Sequence, residues 1–169
     1  MAKENEPKIK VGPINQVALM VKDARKVAED YWNILGIGPW DIREAKPPEL
    51  HGQAYYGKES DFTAKVGYAK SGSMQIEIIQ PMSAKNIWND FMAIHGEGMH
   101  HLQFRVDNIT AVTEIMNAEA IPTIMSGRYA EGGFAYYGTE DSLKCIWECF
   151  QPPEKSYPMH RYPTPPPGK

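Results

Sequence analysis

Met99-His100-His101-Leu102-Gln103-Phe104-Arg105-Val106 repeats the pattern of Ile14-Asn15-Gln16-Val17-Ala18-Leu19-Met20-Val21. Trp147-Glu148-Cys149-Phe150-Gln151-Pro152 likewise repeats Ile76-Glu77-Ile78-Ile79-Gln80-Pro81. Each opening octamer is followed by an aspartate and a segment with helical spacing. Each closing hexamer sets one carboxylate inside an apolar, strand-like run and ends it with Gln-Pro. An internal repeat outranks other signals in a chain, because it implies two copies of one structural unit. Here it brings Gln16, Glu77, His101 and Glu148 to equivalent positions.

Working outward, the first module spans about 13–82. A strand at 14–21 leads through the cap Asp23 to a helix over 24–35, where Val27, Tyr31, Ile34 and Leu35 share a face, and Gly36 stops it. Residues 40–61 are polar and irregular, and strands follow at 62–70 and 73–80. A linking helix occupies 83–98. The second module, 99–152, has a helix capped by Asp107 or Asn108, with strands at 121–125, 133–138 and 144–150. The second module reads β-α-β-β-β, and the repeat implies the same order for the first. The predicted fold is α+β: two βαβββ modules related by a pseudo-twofold, forming a half-open, barrel-like sheet with a central cleft. The tail, 153–169, is proline-rich, extended and polyproline-like.

Side chains alternate across a strand. His101, Gln103 and Arg105 therefore share a polar face, and His100, Leu102, Phe104 and Val106 an apolar one that packs on helices. This parity leaves His100 outside the candidate site. A carboxylate among apolar residues is costly to bury without a compensating charge, and two at symmetric positions repel. Single glutamates are mostly exposed. The shared repeat position, with His101 and Gln16 beside them, points instead to a divalent cation held by Gln16, Glu77, His101 and Glu148.

Composition narrows the alternatives. The 169 residues are 42% hydrophobic, enough for a core, and no apolar run is long enough to span a membrane. A net charge of −3 and a pI near 6.0 argue against nucleic-acid binding. The N-terminus is charged and lacks an apolar signal core. Cys145 and Cys149 share one apparent strand, roughly 13 Å apart and too far for a disulfide, which suggests two buried thiols in a reducing compartment. The expected setting is a cytoplasmic homodimer acting on a small molecule.

The two modules, the segment Gly96-Glu97-Gly98-Met99-His100-His101-Leu102-Gln103-Phe104-Arg105-Val106-Asp107 and the closing Trp147–Pro152 hexamer resemble the vicinal oxygen chelate (glyoxalase, bleomycin resistance, dioxygenase) superfamily. The likeness is nearest to methylmalonyl-CoA epimerase and glyoxalase-like proteins, and covers about 13–152. It implies metal ligands at Glu77, His101 and Glu148, and at Gln16 where the family usually has histidine. One nitrogen and up to three oxygens suit Mn, Mg, Co or Ni, with Zn also in range. The resemblance also places Lys65 where the epimerases carry a catalytic glutamate, making Lys65 and Glu148 the candidate acid–base residues. A desolvated lysine beside a metal has a lowered pKa and acts as a base, whereas one on an edge strand is merely solvated.

The implied chemistry is that of a metal-dependent isomerase, epimerase or lyase working through an enolate. The substrate would be a small oxygenated carboxylate, a 2-oxo compound or an acyl thioester. Met20, Tyr68, Tyr136, Tyr137 and Phe150 are candidates for an apolar wall, and Arg105 for meeting a carboxylate; Arg105, Tyr137 and Phe150 are the expected substrate contacts. Two rivals are a metal-free small-molecule binder of the bleomycin-resistance type and a ring-cleaving dioxygenase. The second is disfavoured because the two-histidine, one-carboxylate triad is absent.

Overall fold

The structure is a computed structural model, and it describes residues 6–83, 85–154 and 156–164. The last five tail residues and the first five residues of the charged N-terminus lie outside that description.

The elements, in chain order, are β1 (Ile14–Met20), α1 (Ala24–Leu35), β2 (Trp40–Ala45), β3 (Leu50–Tyr55), β4 (Lys58–Glu59), β5 (Ala64–Ser71), β6 (Met74–Pro81), α2 (Ile87–His95), β7 (Gly98–Arg105), α3 (Ile109–Ala118), β8 (Thr123–Tyr129), β9 (Gly132–Tyr137), α4 (Glu140–Leu143), β10 (Ile146–Gln151) and β11 (His160–Tyr162). Local chemistry sets the helix ends. Asp23 accepts from the Lys26 amide at 3.0 Å to start α1, and Gly36, at φ +66°, closes it in the left-handed conformation that favours glycine. Asn108 caps α3 through the Ala111 amide.

All the strands join one sheet, in the order β11-β2-β5-β6-β1-β7-β10-β9-β8-β3-β4. The mixed α+β fold thus has an open, unclosed sheet whose halves meet where β1 runs antiparallel to β7. Each opening strand is also parallel to its own closing strand, β1 to β6 and β7 to β10.

Residues 40–61, expected to be irregular, contain three strands. Their positions cross the halves: β3 pairs with β8, at the far edge of the second half, and β11, from the tail, pairs with β2 at the edge of the first. Each exchange covers a row of backbone groups that would otherwise sit at an open edge. Arg161 anchors the tail strand, donating to both oxygens of Asp41 at 2.8 Å.

Alternation sorts the core into three clusters. Trp40, Ile42, Ala69 and Ile78 pack under α1, with Ala24 and Ala28. Phe104, Ala135, Tyr137 and Cys149 pack under α3. On the other, concave face lie Ala18, Ala64, Val66, Ile79, Phe134 and Tyr136, with Trp88 from α2 packed among them. Burial of these faces supplies most of the folding free energy, at about 25 cal/mol per Å² of apolar surface. Cys149 is buried and Cys145, just before β10, only half-buried; both thiols are free.

Candidate metal centre and ligand cavity

The four central strands, β6-β1-β7-β10, carry Glu77, Gln16, His101 and Glu148 on the concave face. All four side chains are buried, His101 completely. Ala18, a small and fully buried core residue, is the cross-strand partner of Glu77 on one side and His101 on the other.

One ligand-type atom from each of Glu77, His101 and Glu148 lies within 4.8 Å of the other two. His101 Nε2 stands 3.1 Å from Glu148 Oε2 and 3.6 Å from Glu77 Oε2. An amide chain surrounds them. Gln103 Nε2 donates to Glu148 Oε2 and to Gln16 Oε1, both at 2.7 Å, while Gln16 Nε2 donates to Gln75 Oε1 at 2.7 Å. Glu77 Oε2 has no hydrogen-bond partner although it is buried.

The electrostatics are those of a site short of positive charge. Burial pulls the His101 imidazole down, but the hydrogen bond to Glu148 and the charges of Glu148 and Glu77 outweigh it and lift the pKa to about 9. Burial pushes the Glu77 carboxyl upward in spite of His101. The cluster therefore holds a proton where a cation would neutralise the same carboxylates. An orphaned carboxylate oxygen, one imidazole and a second carboxylate on one point fit a divalent ion of the Mn, Co, Ni or Zn type. The Gln16 oxygen already accepts from Gln103, and its second lone pair remains for a fourth bond.

The simple parity expectation for His100 needs correction. Between the Ala18↔His101 and Leu19↔Met99 pairs the register slips by one, making His100 the extra residue of a β-bulge. Its ring does pack edge-on against Phe91 of α2, 5.0 Å between centroids. The bulge also turns it toward its neighbour, with His100 Nδ1 2.9 Å from His101 Nδ1. Burial keeps His100 well below the usual histidine range, and so neutral. An ion on His101 Nε2 requires the proton on Nδ1, which then donates to His100 Nδ1 and orients the ring.

Above the cluster is a cavity of about 420 Å³, lined by Val66, Tyr68, Trp88, Phe134, Tyr136 and Phe150 among apolar and aromatic groups, and by Arg43, Arg105, Glu77 and Glu148 among charged ones. Phe150 and Arg105 are thus where the sequence pattern puts them. Two others are not. Tyr137 lies on the opposite face, its hydroxyl 2.9 Å from Thr113 Oγ1 of α3, and Tyr136 takes the cavity position because it pairs in register with Glu148. Lys65 also points away: Val66 and Tyr68 face the cavity, so the intervening parity directs Lys65 to the outer side, where it lines a separate depression with Glu44 and Pro158. Of the apolar-wall candidates, Met20 is core rather than wall. Sequence reasoning missed Arg43 and the tail residue Tyr157, both cavity-lining. Arg43 lay in a stretch without strand patterning, although it alternates with Asp41 and Ala45, which line the same cavity.

Comparison with known proteins agrees with this architecture. Mitochondrial methylmalonyl-CoA epimerase of Mus musculus is 26% identical over 122 residues, covering 72% of this chain and 61% of that protein. Its Homo sapiens counterpart is 29% identical over 115 residues, 68% of this chain and 57% of that protein. The chain therefore spans about three fifths of the length of these relatives. Among solved structures, methylmalonyl-CoA epimerase of Mycobacterium tuberculosis aligns with a TM-score of 0.62 at 17% identity, over 90% of this chain and 96% of that one. A variant of the Streptomyces coelicolor epimerase in complex with 2-nitronate-propionyl-CoA aligns at 0.65 and 13%, over 88% and 100%. At such identities the structures share the vicinal oxygen chelate fold. A family model for the glyoxalase/bleomycin resistance protein/dioxygenase superfamily matches residues 15–137. With the paired modules, the four-strand centre and this match together, the chain belongs to the glyoxalase/bleomycin resistance protein/dioxygenase superfamily.

Proposed function

We propose that this protein is a metal-dependent isomerase, epimerase or lyase that acts through an enolate of a small oxygenated carboxylate, 2-oxo compound or acyl thioester, in the manner of methylmalonyl-CoA epimerase or glyoxalase. The observation that carries the reading is the buried cluster of Glu77, His101 and Glu148 at the base of the cavity. Family membership and the epimerase relatives support it.

In this reading Glu77, His101 and Glu148 hold one divalent ion, with Gln16 as the fourth donor. Bound there, the ion supplies Lewis-acid stabilisation of an enolate oxyanion. The chain's own residues do the rest. Tyr68, Tyr136, Trp88 and Phe150 exclude water around the reacting carbon. Lys65 faces away, so the proton must be carried from the cavity floor. Burial, then the Glu77 charge, holds the Tyr68 phenol well above its usual range and therefore protonated. Glu148 is the base we assign, its carboxylate held in place by Gln103.

A second reading is a non-catalytic binder. It is favoured by the Gln16 amide, which is engaged at both ends by Gln75 and Gln103. Titration of metal-stripped protein with Mn, Co, Ni, Zn and Mg, followed by a deuterium-exchange screen in heavy water, separates the two. The screen uses 2-oxo acids, glutathione hemithioacetals and acyl-CoA thioesters. The enolate reading expects one tight ion per chain and exchange into at least one class. Absence of both leaves the binder.

A further inference from the structure

Arg43 is the most deeply buried of the charged cavity residues, Asp41 and Arg105 among them, that lie outside the metal cluster. Its side chain, on β2, is only 8% exposed. The buried Nε and Nη1 have no hydrogen-bond partner. Its nearest carboxylate, Glu49, is 3.8 Å away, outside hydrogen-bonding distance, and is itself 39% exposed. The guanidinium instead lies near two aromatic rings, 4.8 Å from the centroid of Tyr129 and 5.3 Å from that of Tyr157. Those rings contact each other at 5.6 Å, so a residue of the tail completes the pocket around a residue of the first half. Arg43, Glu77 and Glu148 line the same cavity.

A buried cation with unsatisfied N–H groups is costly unless something negative meets it. The aromatic faces attract the charge and the Tyr129 hydroxyl interacts with the guanidinium, but Nε and Nη1 are still left without an acceptor. The planar fork of donors matches a carboxylate, which is itself planar and takes two parallel N–H bonds. We propose that Arg43 is the anion-recognition residue of the cavity and takes a carboxylate of the ligand, while other oxygens of the same ligand face Glu77, His101 and Glu148. The substrate class is thereby narrowed to compact acids with a free carboxylate. This rests on the enolate reading only for which end of the ligand reacts.

The test uses the full chain, stripped of metal and carrying ¹⁵N-labelled arginine. Isobutyrate is the probe, with isobutyramide as its neutral isostere and methylphosphonate as a tetrahedral anion. Isobutyrate is expected to shift the Arg43 Nε–H resonance saturably, with a Kd on the order of millimolar for so small a ligand. Isobutyramide should leave it in place, and methylphosphonate should bind more weakly than isobutyrate. Arg43→Met should lose at least about tenfold in isobutyrate affinity, and Arg43→Lys should keep the charge but lose part of the affinity. The empty Arg43→Met protein should also unfold at a higher temperature, because the buried charge with its unpaired Nε and Nη1 is gone.

An unmoved Arg43 resonance overturns the proposal, as does isobutyrate affinity in Arg43→Met within about twofold of the parent. So does phosphonate binding in preference to isobutyrate. A drop in unfolding temperature for Arg43→Met with isobutyrate affinity intact would make Arg43 a structural brace. If Arg43→Met does not fold, the resonance shift and Arg43→Lys decide. Mn is added only afterwards. An Arg43 response without Mn uptake removes the enolate reading and leaves this proposal standing; Mn uptake without an Arg43 response does the reverse.

Discussion

The two central strands of the sheet are built alike and equipped differently. In β1 the register slips at Asn15, just before Gln16; in β7 it slips at His100, just before His101. Each bulge residue then serves the centre. Asn15 Nδ2 donates to Gln103 Oε1 at 3.1 Å, and His100 meets His101 at 2.9 Å. The partners of these strands match too, Glu77 on β6 and Glu148 on β10. The next inward position differs: Ala18 is small in the first half, whereas the equivalent Gln103 is large and polar in the second. The pseudo-twofold therefore supplies a scaffold, and the chemistry is asymmetric. The second half supplies the imidazole, its orienting neighbour and the amide donor to Glu148. The first half supplies a carboxylate, a small alanine and a neutral amide.

The largest expected effect tests that asymmetry directly. His101→Ala should abolish metal retention, measured by elemental analysis after desalting. Gln16→Ala should weaken Mn binding by about tenfold or less, since a neutral amide oxygen is the weaker donor. Equal losses from the two variants would break the comparison.

The bulge residues come next. His100→Ala should lower metal affinity about 10- to 100-fold while leaving the ligand set intact, the effect typical of removing a partner that orients a ligand. Isothermal titration on the stripped protein reads this. An unchanged affinity, with only the unfolding temperature reduced, would return His100 to a packing role.

A pH effect follows from the charge deficit. The His101 pKa is raised from 6.5 to about 9 in the folded chain. Protonated His101 thus contributes stability that is complete below about 6.5 and lost as pH rises through about 9. Glu77, also raised above its ordinary value, acts in the same direction. Metal-stripped protein should lose stability across that window, by an amount on the order of a few kcal/mol. Thermal unfolding measured between the two pH limits checks it, and saturating Mn should flatten the profile. A stripped protein equally stable at both limits would mean that the cluster is not short of positive charge.

The smallest effects sharpen the first-half side. Gln16→His would restore the symmetry, and should tighten Zn, Co or Ni by at least about tenfold because imidazole outcompetes an amide for these ions. Asn15→Ala removes one hydrogen bond to Gln103 and should cost about 1 kcal/mol of stability. Its effect on Mn affinity should be far below that of His100→Ala. A larger loss from Asn15→Ala would reverse the roles of the two bulges.

Much of the centre was legible in the chain because it rests on a repeat and on strict alternation. Those two regularities together brought Glu77, His101 and Glu148 to one face, and the helix capped by Asp23 and closed at Gly36 follows from local chemistry. The same regularities failed where they left the choice open. Tyr136 and Tyr137 are adjacent and chemically alike, so only the pairing of Glu148 with Tyr136 selects which one lines the cavity. Lys65 was placed by likeness to relatives, and the side its strand presents turns it outward beside Glu44.

Sequence alone determined the paired modules, the faces of their strands and the acidic and imidazole residues at the repeat positions, because hydrophobic periodicity and residue chemistry are local properties. Tertiary structure decided three further matters. It placed β3–β4 and β11 on opposite edges of the sheet, joining a tail tyrosine to Arg43. It turned His100 toward His101 through a one-residue slip that no pattern of side chains marks. It also buried Arg43 with its Nε and Nη1 left unpaired. Each depends on which backbone groups pair across the sheet, a long-range choice made by the whole fold and invisible in any single stretch of it.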